Sequence, residues 1–177
     1  MQNPFTWAGF GQWAFAASAF AFLLLVGWRW DRRRRAHERS GLAEIVAFTL
    51  TALWALVVAG IGTDTPLGQL FESFRSMGWL GLAFALFTRD GRDASVAPIR
   101  PMMAALLFVE LLQPLLFMMT LRDGTNAAAL GMIFHISVLF RLLVATGALV
   151  LVHNLYAGAM ARQRAALRWT CAAMAMV

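Results

Sequence analysis

Four polar residues lie inside long apolar stretches of this chain: Glu110, Gln113, His135 and Arg141. A charged side chain near the centre of a bilayer costs at least ~2.5–3.5 kcal/mol on insertion scales, so it usually faces other helices and pairs with a polar group. These residue types suit three roles. The first role is a structural clamp between helices. The second is a site that senses a ligand, a proton or the state of the membrane. The third is a pathway for protons or ions.

The stretches that hold these residues are long enough to cross a membrane. Hydrophobic residues make up 60% of the 177 residues and charged residues only 14%, whereas soluble domains carry roughly 25% charged residues. Each stretch approaches the ~20 residues that a helix needs to cross the hydrocarbon layer. Hydrocarbon cannot satisfy backbone amides, and the stretches lack the alternating polarity of a membrane β-strand, so we predict helices.

These features predict an all-α fold, a polytopic transmembrane helix bundle that forms a single domain over residues 1–177. It comprises five complete spans and a truncated sixth, at about residues 12–30, 42–61, 70–88, 101–121, 127–152 and 165–177. The third is the least apolar, since it includes Glu72 and Arg75, which we expect to pair and to reach the outer interface. The sixth is too short to cross a membrane, so we expect the natural protein to continue beyond Val177.

The distribution of arginines predicts an orientation with the N-terminus outside, because cytoplasmic loops are enriched in basic residues. In that orientation the inner loops hold twelve arginines and the outer loops only two, Arg75 and Arg122. We therefore expect a multi-pass membrane protein. Six of the twelve lie in the first loop: Arg29, Arg32, Arg33, Arg34, Arg35 and Arg39.

The arginine-rich first loop has two interpretations. It orients the bundle, or it docks anionic lipid headgroups, with ~1 kcal/mol for each arginine near the surface. A net charge of +6 would suggest nucleic acid as the partner of a soluble protein. Because most of the arginines flank apolar stretches, we expect the lipid bilayer and no nucleic acid as the partner.

The fourth and fifth predicted spans are joined by a tight turn and must be antiparallel neighbours. At 1.5 Å per residue, Glu110 and Arg141 both lie about 17–21 Å from the outer face, within reach of a buried ion pair. By the same arithmetic Gln113 and His135 are level with each other, nearer the outside. Pro114, one turn beyond Glu110, would loosen the helix there.

Two further patterns concern the packing of the helices. Small residues at helical spacing predict close helix contacts at Ala14, Ser18 and Ala21, and at Gly78 and Gly81. Tryptophan is enriched at membrane interfaces. Five tryptophans lie near the ends of the predicted apolar stretches: Trp13, Trp28, Trp30, Trp79 and Trp169.

The chain carries no motif of an enzyme or a cofactor site. We find no GxSxG, HExxH, P-loop or GxGxxG pattern in a structural context in which it could work. The loops are also too short to hold a soluble catalytic domain. The histidines lack metal-ligand spacing, and Cys171 is the only cysteine. We therefore expect no catalytic residue, cofactor or metal within these residues, and whether the whole protein is an enzyme stays open.

Residues 151–174, LVHNLYAGAMARQRAALRWTCAAM, resemble a segment of the membrane sensor histidine kinases of the exosortase/PEP-CTERM system, the PrsK family. In that family an L-V-E-x-L-Y motif ends one span, a short basic loop follows, and an apolar span with a cysteine begins. The TALWAL run at residues 51–56 and the order of spans are also similar. The matching positions of the first segment are Leu151, Val152, Leu155, Tyr156, Arg164 and Cys171.

The resemblance implies the N-terminal membrane sensor and anchor of a two-component histidine kinase that controls exopolysaccharide and exported-protein genes. Such a sensor passes a membrane or periplasmic signal to a cytoplasmic kinase domain that is absent from this chain. The resemblance also implies a homodimer and a response regulator as partners. The alternative, drawn from the residues alone, is a small transporter or channel with an intramembrane site at Glu110 and Arg141.

Overall fold

The described part of the chain is helical outside its turns. The computed structural model describes residues 7–36, 41–89, 99–122 and 127–158, and these form five α-helices. The all-α prediction is confirmed for these residues, and the predicted sixth span at 165–177 lies outside them. The helices are α1 (Trp7–Ala36), α2 (Leu42–Ile61), α3 (Pro66–Arg89), α4 (Ile99–Arg122) and α5 (Ala127–Gly158).

Four of these helices are long and apolar enough to cross a membrane, and they correspond to the first, second, fourth and fifth predicted spans. α3 is not among them, which corrects the prediction of five complete spans within the described residues. Its 24 residues would reach across the ~30 Å hydrocarbon layer, so polarity, from Glu72 and Arg75 among others, sets it apart. The four apolar segments are Gly9–Arg34, Leu42–Ile61, Ile99–Leu121 and Ala128–Ala157.

The chain divides into two compact units, residues 1–78 and 79–177, with the boundary inside α3. In the first unit α1 and α2 lie antiparallel. Phe15 meets Trp54 edge to face, with 5.5 Å between the ring centroids, and Phe22 meets Phe48 at 5.9 Å. Ala19, between the two phenylalanines on the same face of α1, is fully buried. Aromatic rings around a small residue therefore build this contact.

The face of α1 that meets α2 differs from the predicted one. Ala14, Ser18 and Ala21, expected at a helix contact, are exposed. The neighbouring face carries the two phenylalanines, and burying these rings removes far more apolar surface than burying small side chains.

A hydrogen-bonded turn joins α2 to α3. Gly62 has a φ of 91°, a left-handed conformation that glycine adopts without a side-chain clash. The Thr65 hydroxyl donates to the Gly62 carbonyl at 3.0 Å and accepts from the backbone N–H of Gly68 at 3.1 Å. Thr65 is therefore the N-cap of α3. Pro66 follows at the first helical position, where its missing N–H leaves no bond unmade.

Gly78 marks the close approach of α3 to α2 within the first unit. A Cβ atom at this position would lie 2.9 Å from Leu50 Cδ1 and 3.3 Å from Ala47 Cα. A Cβ atom at Gly81, one turn further on, would have no heavy atom of another element within 4 Å among the described residues. The predicted small-residue contact is thus right at Gly78 and wrong at Gly81. Trp79, predicted near an interface, is buried.

In the second unit α4 and α5 form another antiparallel pair. Gly147 of α5 lies so close to α4 that a Cβ atom would come within 2.6 Å of Leu106 Cδ2. Leu106, Val144 and Leu151 are all buried. This contact and the polar contact described below together define the register of the two helices.

Replacing Gly78 with leucine is expected to destabilise the protein, whereas replacing Gly81 with leucine is not. A side chain at position 78 must displace Leu50 and the α2 backbone at Ala47, and overpacking typically costs about 1–3 kcal/mol. Both substitutions gain the same helix propensity, so their difference isolates packing. Thermal unfolding in detergent, followed by circular dichroism, measures the difference. Equal melting temperatures for the two variants would contradict the contact.

Candidate functional site

Gln113 and Ser137 join α4 to α5 through two hydrogen bonds, and we call this pair the Gln113–Ser137 clamp. The Ser137 hydroxyl donates to Gln113 Oε1 at 2.9 Å, and Gln113 Nε2 donates to the Ser137 carbonyl at 3.4 Å. Gln113 is only 8% exposed. Its amide therefore depends on the protein for hydrogen bonds.

The hydrogen bonds of the clamp contribute only modestly to the free energy of the contact between α4 and α5. Hydrogen bonds between transmembrane helices average ~0.6 kcal/mol in double-mutant cycles and reach at most ~1.7 kcal/mol. These free energies correspond to roughly threefold to twentyfold in an equilibrium constant. The clamp therefore makes a modest contribution to the contact between α4 and α5, in addition to close packing, as at Gly147.

Glu110 lies one turn from the clamp on the same face of α4 and is 7% exposed. Interpolation between the Gln113–Ser137 and Leu106–Gly147 contacts places it level with residues 140–143 of α5. Pro114 has no N–H, so α4 lacks the hydrogen bond that position 114 would otherwise donate to the Glu110 carbonyl. A buried carboxyl group thus lies where the helix backbone is loosened.

Arg141 falls at the level of Glu110, in agreement with the common depth expected from the sequence, but its side chain is exposed. Both residues make contacts within the protein. The ion pair between the two stays a prediction.

His135 lies on the face of α5 away from the clamp and is exposed. Its Nδ1 is 2.6 Å from the Gly131 carbonyl, and since a carbonyl oxygen only accepts, this nitrogen is the donor. Depth arithmetic placed His135 level with Gln113, yet the residue that meets Gln113 is Ser137. Ser137 lies two residues further on, about 200° around the helix. The sequence feature that indicates this contact is the hydroxyl group of Ser137, which lies within one helical turn of the expected depth.

Arg75 lies over an aromatic ring in the first unit. Its guanidinium carbon is 3.9 Å from the centroid of the Trp54 ring, a cation–π contact of about 0.5–2 kcal/mol. Trp54 also meets Phe15. Residues of α1, α2 and α3 therefore converge on one indole, and the predicted pairing of Arg75 with Glu72 stays a prediction.

The arginines at the end of α1 differ in their burial and in their contacts. Arg29 forms an ion pair with Glu44, which lies in the first turn of α2. A carboxylate at a helix N-terminus is also favoured by the helix dipole. The other positions are half-buried Arg33, exposed Arg32 and Arg34, and the Arg35 side chain and Arg39, which lie outside the described residues.

Within the described residues, no three histidine, cysteine, aspartate or glutamate side chains lie close enough to hold a metal ion. Comparison of the chain with protein families, with curated proteins and with solved structures finds no match. The resemblance to PrsK sensor kinases therefore stays a prediction from the sequence.

A double-mutant cycle tests the clamp. Gln113→Leu and Ser137→Ala are each expected to destabilise the protein, with effects that are non-additive by about 0.6–1.7 kcal/mol, because either change removes the shared hydrogen bonds. Reversible unfolding of purified protein in mixed micelles measures the free energies. A second cycle of Gln113→Leu with His135→Ala is the control and should show coupling near zero. Stronger coupling to His135 than to Ser137 would overturn the assignment.

Proposed function

We propose that this chain is the membrane-embedded sensor and anchor region of a bacterial sensor histidine kinase. The observation that carries the sensor role is the polar cluster of Glu110, Gln113 and Ser137 between α4 and α5, next to Pro114. A sensor needs two helix arrangements of similar free energy and a signal that favours one of them. Weak interhelical hydrogen bonds at a loosened backbone support the first of these two conditions as part of the proposal.

In this proposal a membrane or periplasmic signal changes the packing at the cluster. It competes for the hydrogen bonds of the clamp or changes the charge of Glu110. Loss of the clamp shifts the equilibrium between two α4–α5 arrangements by up to about twentyfold. α5 then transmits the change along its length toward residues 151–174, the segment that resembles PrsK.

The kinase part of the proposal rests on that resemblance. It includes a second copy of the chain and a response regulator as partners, in a two-component system for exopolysaccharide and exported-protein genes. The kinase domain would be encoded downstream of Val177. The proposed homodimer and response regulator depend on the presence of that kinase domain, so a gene without it would remove both partners from the proposal.

The reading frame is expected to continue past codon 177 into an ATP-binding kinase domain, and sequencing of the gene checks this directly. In the full-length kinase, Gln113→Leu should change basal autophosphorylation several-fold, because it shifts the α4–α5 equilibrium. His135→Ala, on the other face of α5, is the matched control and should leave autophosphorylation unchanged. A stop codon directly after Val177, or equal autophosphorylation in the Gln113→Leu and native proteins, would contradict the proposal.

A small transporter or channel is the second candidate function, and burial of Glu110 in an apolar helix favours it. The chain is reconstituted in vesicles, and proton or ion flux is followed with a trapped indicator dye. A flux that Glu110→Gln abolishes and Glu72→Gln preserves would favour this candidate over the sensor. Vesicles without flux for any variant would remove it.

The proposal places the N-terminus outside the bacterial inner membrane, and the six arginines between the first two apolar stretches support this orientation. A cysteine at Thr63, exposed between α2 and α3, is expected to react with a membrane-impermeant thiol reagent in spheroplasts. A cysteine at Leu42, at the other end of α2, should react only after lysis. The substitution Cys171→Ser removes the background. The reverse labelling pattern would overturn the orientation.

A further inference from the structure

The end of α1 carries two arginine–tryptophan pairs, and in each pair the arginine follows the tryptophan by four positions. The Arg32 guanidinium carbon lies 5.2 Å from the centroid of the Trp28 ring, and that of Arg34 lies 5.6 Å from the Trp30 ring. All four side chains are exposed, Trp28 by 55% and Trp30 by 45%. A cation–π contact holds each guanidinium beside its indole without neutralising the charge.

The two pairs lie on opposite flanks of α1. At 3.6 residues per turn they are separated by about 160° around the helix axis. Between them lies the face that carries Arg29, and this face is turned toward α2, where Arg29 pairs with Glu44. The charge of Arg29 is therefore met inside the protein, while the two pairs face outward on either side of the α1–α2 contact.

The pairs also lie at the level expected for phospholipid headgroups. Trp13, toward the other end of α1, is 76% exposed, and the 15–17 residues from it to Trp28 and Trp30 extend about 23–26 Å along a helix. Tryptophans mark the two boundaries of the ~30 Å hydrocarbon layer. Arg32 and Arg34, one turn beyond their tryptophans, then reach the headgroup region.

We infer that α1 carries two binding positions for anionic phospholipid headgroups, one at Arg32 with Trp28 and one at Arg34 with Trp30. A guanidinium donates two parallel hydrogen bonds to phosphate oxygens, and the indole packs at the boundary between headgroup and acyl chains. Residues 29–34 hold four arginines and one aspartate, a formal charge of +3, which favours anionic over zwitterionic lipid. This function is independent of the proposed sensor, since it concerns only the first unit.

The inference is tested by counting bound lipids. Purified chain in non-ionic detergent is titrated with dihexanoyl phosphatidylglycerol, and native mass spectrometry resolves each bound molecule. We expect two saturable molecules on the native chain, one on Arg32→Gln or Arg34→Gln, and none on the double variant. If a residual second molecule binds to a single variant, its affinity should fall about fivefold, the effect of one arginine near a lipid surface.

The matched control is Arg100→Gln, which removes an exposed arginine near the start of α4 and should leave two molecules bound. Circular dichroism confirms that each variant is folded. For a variant that does not fold, the native chain in high salt replaces it, where phosphatidylglycerol should dissociate and helicity should persist. Equal binding of phosphatidylcholine, or two molecules on the double variant, would overturn the inference. Competition by glycerol phosphate as effective as the lipid would assign the positions to free phosphate instead.

Discussion

Hydrocarbon offers no hydrogen-bond partners, and this constraint governs every polar side chain in the apolar helices. Thr49 and Thr51 of α2 donate to backbone carbonyls four residues earlier, at 2.7 and 2.8 Å, so each hydroxyl is satisfied within its own helix. Gln113 carries a larger amide, and its bonds extend to Ser137 on the neighbouring helix. In the α4–α5 pair a polar group that its own helix cannot satisfy therefore helps to define where the two helices meet.

The two helix pairs meet this constraint in different ways. The α1–α2 pair is built from aromatic rings around the buried Ala19, with an ion pair between Arg29 and Glu44 near the ends of the helices. Apolar packing of this kind does not depend on a ligand or on protonation. The α4–α5 pair places Glu110 and Gln113 in its contact face. A contact with buried polar groups in its centre changes its free energy when one of them gains a competing partner.

The sequence predicted positions along the helices well and positions around them poorly. Apolar stretches bounded by turn residues define helix ends, and α2 has the predicted bounds because Gly62 stops it. Counting residues from a helix end gives only the position of a residue along the helix axis. It placed His135 level with Gln113, whereas the rotation of α5 turns Ser137 inward and His135 outward. Rotation depends on how two surfaces interlock, as where Gly147 receives Leu106, and a single helix sequence holds half of that information.

The Gln113–Ser137 clamp divides α5 into two segments of unequal length, which we call its short arm and its long arm. Ser137 lies 10 residues from Ala127 and 21 residues from Gly158, the two ends of α5. At 1.5 Å per residue these arms measure about 15 and 32 Å. If α5 tilts as a rigid rod about this contact, its second end moves about twice as far as its first. A displacement of 1 Å at the short arm therefore becomes a displacement of about 2 Å at the end from which the chain continues.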